Sequence, residues 1–181
     1  PGTLFQWSYG TSFSGGPNLD DPLVTDRPDF TEASTTVGVG VAQIEFGYTY
    51  SYDNVGGQSV RTQSVGEPLL RYGMLANWLE LRVAIFPLDE RTVTGATRNS
   101  TGGTADLYTG LKIGLTPQEG LLPEMALIPQ MNIPTGSPAF TSNNVEPGLN
   151  WIYGWEISDC ISTAGSTQGN KRIDTTGESY W

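Results

Sequence analysis

Apolar and polar side chains alternate along most of this chain, most cleanly over residues 41–52, VAQIEFGYTYSY. Ala42, Ile44, Phe46, Tyr48, Tyr50 and Tyr52 share one parity, while Gln43, Glu45, Gly47, Thr49 and Ser51 share the other. Successive side chains of a strand point to opposite faces, so the segment predicts a strand with one aromatic and one polar face. The same period of two predicts strands over 59–72, 78–86, 106–115, 124–133 and 145–157. Residues 160–168 make a weaker strand, and 178–181 begin another.

Such strands suit two folds. A soluble antiparallel sheet turns its apolar face to a core, and a membrane barrel turns it to lipid. Two regularities favour the barrel. The predicted connections alternate between longer loops (53–58, 87–104, 134–144, 169–177) and shorter turns (75–77, 116–120, 158–159). Outer-membrane barrels have short periplasmic turns and longer outer loops. Charges also recur on the polar parity of nearly every strand: Glu45, Arg61, Glu67, Arg71, Glu80, Arg82, Asp106, Lys112, Glu124, Glu146 and Glu156. A barrel would turn them to a polar lumen, and a soluble sheet would turn them to water. The opposite parity carries Tyr, Trp and Leu, as a lipid-facing surface with aromatic girdles does.

Composition removes several chemistries. There is no histidine, which excludes Ser-His-Asp catalysis and His-ligated metal. The lone Cys160 has no internal disulfide partner and reads as a passive side chain. A net charge of -10 argues against nucleic acid, which needs clustered Lys and Arg. No apolar run approaches the ~18–20 residues of a spanning helix, so any membrane crossing falls to strands. Residues 1–24, rich in Gly, Ser and Pro with no periodicity, read as an irregular leader to a β domain over 25–181. No basic-then-apolar signal segment precedes it in this sequence. At its start, Thr25, Asp26, Arg27, Pro28, Asp29, Phe30, Thr31 and Glu32 are dense in turn chemistry. Read alone, they predict a tight turn before the first strand.

The ordered series TDRPDFTE (25–32), VAQIEFGYTY (41–50), EPLLRYGML (67–75), LELRV (79–83) and DLYTGLKIGL (106–115) resembles a known bacterial family. It is the outer-membrane β-barrel "transporter" family labelled by the meta pathway of phenol degradation. The resemblance runs from about residue 25 to residue 169. It implies an all-β, antiparallel up-and-down transmembrane barrel that passes small, hydrophobic or aromatic compounds, and it supplies no catalytic motif. Family members continue with further strands after the segment matching 156–169. The resemblance therefore implies an incomplete barrel here, with about seven or eight strands visible and the C-terminal part missing.

Seven acids outnumber four bases among the charges expected inside. In an open pore this excess would favour cations, whereas in a narrow barrel the same groups would pair and fill the interior. Three functions fit these residues: a barrel for passage or binding of small solutes, a non-conducting barrel presenting the 87–104 loop, and a soluble extracellular β-sandwich binding module. Charges spread over every strand describe a lining and not a catalytic site, so no enzyme, metal or cofactor is expected. The expected partners are outer-membrane lipid and a small solute.

Overall fold

The computed structural model describes residues 23–26, 31–158, 160–173 and 178–181. The leader up to residue 22, Arg27, Pro28, Asp29 and Phe30 of the turn-rich motif, Asp159, and residues 174–177 lie outside the described residues. The described chain has no helix and folds into β1 (Ala42–Val55), β2 (Gln58–Gly73), β3 (Leu79–Ala84), β4 (Pro87–Thr94), β5 (Thr97–Thr104), β6 (Leu107–Thr116), β7 (Glu124–Ile133), β8 (Glu146–Ser158) and β9 (Ile161–Asn170). A small β10 (Arg172–Ile173) pairs with β11 (Ser179–Tyr180). β1 to β9 make one antiparallel sheet, curled into a half-barrel.

The pairing order is a meander with one split. β2 pairs along its length with β1 on one side; on the other, its lower half pairs with β3 and its upper half with β4. β3 and β4 are one long strand interrupted at Ile85 and Phe86, and β5 and β6 return beside it, interrupted at Ala105 and Asp106. β7, β8 and β9 follow in sequence. The β2–β3, β6–β7 and β8–β9 connections therefore fall at one end, called here the near end. The β1–β2 and β4–β5 turns and the 134–145 loop fall at the far end.

Two expected loops are strand instead. Over 53–58 the strand continues to Val55, and the turn is only Gly56–Gly57, with φ of 60° and 84°. A two-residue hairpin needs positive φ at both centres, which glycine alone adopts freely. The 87–104 segment is the β4–β5 hairpin, turning at Gly95–Ala96. Its threonines and valine are good strand formers, but they lack an apolar face for the alternation to reveal. The long far-end connections are thus mostly projecting hairpins.

A third correction concerns parity. At Gly66 (φ 89°) and Glu67 (φ 31°) β2 carries one residue more than β1 opposite it, so the pairing shifts between Glu45 and Gly47. An extra residue reverses the facing of everything beyond it. Glu67, Leu69 and Arg71 are buried on the concave face, whereas Arg61 lies opposite Tyr52 on the outward face, exposed. Arg61 is therefore no part of the interior.

The two faces have inverted character. The concave face buries Glu80, Arg82, Arg71 and Lys112 to 1% exposure or less, beside a small apolar group of Leu69, Ala84, Ala126, Ile128 and Ile152. The outward face leaves Ile44, Phe46, Tyr48, Val65, Leu149 and Trp151 exposed, Phe46 at 70%.

Candidate functional site

What buries the charged face is the chain's own N-terminal strap, the described residues 23–26 and 31–41. Near its end the strap docks on β2: Gly40 N–H donates to Gly73 O (2.9 Å) and Gly73 N–H to Val41 O (2.9 Å). A Cβ at position 73 would stand 1.6 Å from Gly38 O, so only glycine allows this approach. Further along, Val39 N–H donates to Asn77 Oδ1 (3.0 Å), and Val37 N–H to Glu80 Oε2 (2.9 Å).

The remaining strap backbone is gripped by sheet cations. Arg71 Nη2 donates to Thr35 O (3.0 Å) and Nη1 to Val24 O (3.1 Å). Lys112 Nζ donates to Ala33 O (2.8 Å) and Thr35 O (3.2 Å). At the centre sits Asp26, its side chain fully buried. Its Oδ2 accepts from Arg82 Nη1 and from Lys112 Nζ (2.7 Å), with Arg71 Nε at 3.4 Å. Its Oδ1 accepts from Ala33 N–H (2.8 Å), and its own N–H donates to Glu45 Oε2 (2.9 Å). Burial alone would raise this carboxyl; Lys112, Arg82 and Arg71 more than offset that and hold it at about 2.

The outer members close the network. Arg71 binds Glu80 through Nε (2.8 Å) and Nη2 (2.9 Å), and Glu45 through Nη1 (3.0 Å). Arg82 Nη2 reaches Glu32 (2.6 Å), which also accepts from Asn150 Nδ2 on β8 (3.0 Å). Ser34 Oγ donates to Glu124 (2.7 Å). The strap is thereby tied to six strands, from β1 to β8.

Beyond the strap, toward the far end, two concavities of about 520 and 630 Å³ open and share Glu32, Phe86 and Tyr108. The first is lined also by Asp26, Arg82, Leu69 and residues 48–50 of β1. The second reaches Gln130, Asn170 and the 139–142 loop. Tyr108 O–H donates to Gln130 Oε1 (3.0 Å). Among the described residues, Arg82 Nε, Asn150 Oδ1 and Ser64 Oγ are buried without a hydrogen-bond partner.

The expected interior charges are thus mostly together. Glu45, Arg71, Glu80, Arg82 and Lys112 form the network. Asp106 is elsewhere, capping the 134–145 loop through Gly136 N–H and Ser142 N–H (both 3.0 Å). Burial would raise its carboxyl, but bonds from Thr141, Ser142 and Gly136 hold it below the ordinary range. Glu146 pairs with Arg172 (2.6 Å), and exposed Glu156 lies at the near end, its backbone bonded to Gln118. Asp26 and Glu32 are the centre that a turn reading of their motif does not convey. Tyr108 and Asn150 share parity with Lys112 and Glu146, a signal that an uncharged side chain leaves faint. Among the described residues no group of acids and cysteine could hold a metal.

No curated protein and no solved structure matches this chain. A family model does match, over residues 25–172, from the strap to the start of β10. The chain accordingly belongs to the family described as "Putative MetA-pathway of phenol degradation".

Proposed function

We propose that this chain forms the wall of an outer-membrane β-barrel that binds or passes small hydrophobic or aromatic solutes. The observation that carries the reading is the inversion of its faces. Arg71, Arg82, Lys112 and Glu80 are buried while Ile44, Phe46, Tyr48 and Trp151 are exposed. In a protein surrounded by water, charged side chains are almost never fully buried unless paired, and large exposed apolar surfaces mark interaction sites. In lipid, the apolar face outward and the polar face inward is the expected arrangement. The two far-end concavities supply the solute site: Phe86 and Tyr108 offer aromatic surface, and Glu32 and Gln130 offer polar contacts. A phenol-like molecule needs that combination, and the family description supports it.

A barrel that binds without conducting is the second reading, and the strap favours it. The strap lies across the interior and is tied to both flanks of the sheet. Single-channel recording on the protein in a planar bilayer separates the two. Steady current in the wild type supports passage; current only in Asp26→Asn supports a plugged barrel. Failure to enter detergent or bilayers at all would sink both in favour of a soluble module.

A further inference from the structure

We propose that the outward face of the β2–β4–β5 corner is a binding site for the phosphate of a lipid headgroup, built by Arg61, Arg91 and Arg98. The proposal rests on the membrane reading above and adds a ligand and a site on the outside of the wall.

Register puts the three guanidiniums together. Tyr52, Arg61, Arg91 and Ser100 stand opposite one another in a row across β1, β2, β4 and β5. Two residues further toward the far end, Ser59, Val93 and Arg98 make the next row on the same face. Adjacent strands are ~4.8 Å apart and rows ~7 Å apart, so the three side chains converge within the span of one phosphate group and its ester. Between them is a concavity of about 430 Å³, lined also by Tyr50, Gln63 and Asp89.

The charge there is poorly compensated. Like charges directly opposite across a ladder repel, and Arg61 faces Arg91 in that way. Among the described residues none of the three arginines pairs with a carboxylate; Arg61 only covers the Tyr52 ring at 5.6 Å. Asp89 is nearby, but its oxygens accept from Gln63 Nε2 (2.9 Å) and Ser100 Oγ (3.3 Å). Three of the nine basic residues of a chain with net charge -10 are thus gathered on one exposed corner. Arginine forks match phosphate oxygens, which makes an anion the natural completion.

The position selects a lipid as the phosphate's source. Along β1 the outward side chains run Ile44, Phe46, Tyr48, Tyr50, Tyr52, and the arginines begin in the row of Tyr52. An aromatic belt marks headgroup depth at the edge of the hydrocarbon, so the arginines stand at headgroup level. Basic side chains at that level attract anionic lipid, so two net charges predict a preference for it on the order of tenfold or more.

The full chain is floated with phosphatidylcholine vesicles, then offered equal amounts of lipid A and phosphatidylcholine in nonionic detergent, with native mass spectrometry reading the bound ratio. The proposal expects flotation and on the order of tenfold preference for lipid A. That preference should fall to near unity in R61Q/R91Q/R98Q, weaken partly in R91Q alone, and survive millimolar inorganic phosphate. Flotation without preference overturns the headgroup site and leaves the membrane reading intact. Competition by inorganic phosphate assigns the corner to free phosphate and overturns the lipid. Absence of flotation removes the membrane reading and this proposal with it.

Discussion

Asp26 is a single carboxylate serving three cations that have no access to water. Its removal leaves Lys112 and Arg82 short of a partner inside a low-dielectric site, the situation in which breaking a buried pair costs about 3–5 kcal/mol. Asp26→Asn should therefore lower the denaturant midpoint strongly and free the strap, with chemical denaturation in detergent as the measurement. Acid should do the same gradually. The carboxyl sits at about 2 in the fold against an ordinary 3.8, so it favours the folded state while ionised. That contribution, about 2 kcal/mol, is complete above roughly pH 4 and is lost as pH falls toward 2. A pH series of unfolding should show this slope in the wild type and lose it in Asp26→Asn; identical slopes would refute the assignment.

Among elements, the strap and β2 meet where no side chain fits. Gly73→Ala should push the strap off the sheet, costing about 1–3 kcal/mol by overpacking, because the obstacle is the backbone oxygen of Gly38. Gly102→Ala, whose added carbon would find only Leu88 O at 3.9 Å, should change stability by less than about 0.5 kcal/mol. Hydrogen exchange at the Gly40 amide distinguishes the two variants. The alternation made β7 legible to the residue and β1, β3, β6 and β8 legible to within a few residues at each end, because each keeps one apolar face. It also brought Glu45, Glu80, Arg82 and Lys112 to one face. What stayed hidden has physical reasons. A single extra residue at Gly66–Glu67 turned Arg61 outward, and no periodicity announces a bulge. The β4–β5 hairpin projects with both faces polar. The strap's part in the interior depends on partners up to 118 residues away, beyond the reach of local turn chemistry.

For the whole molecule, the two ends of the sheet differ, and the free, exposed Cys160 marks the near end. If the near end faces the periplasm, with the projecting β4–β5 hairpin and the 134–145 loop outside, a membrane-impermeant maleimide should spare Cys160 on intact cells and label it once the outer membrane is permeabilised. Labelling of intact cells would reverse the orientation. The strap has a further bearing on how such a wall is assembled. It is made first, yet its anchors Lys112, Glu124 and Asn150 lie 86, 90 and 118 residues later in the chain. Contacts of such sequence separation close slowly, after local hairpins have formed. The wall must therefore exist before the strap can be seated. Refolding should run in two phases, with hairpin amides protected early and those of residues 33–40 protected last, and only the late phase altered by Asp26→Asn.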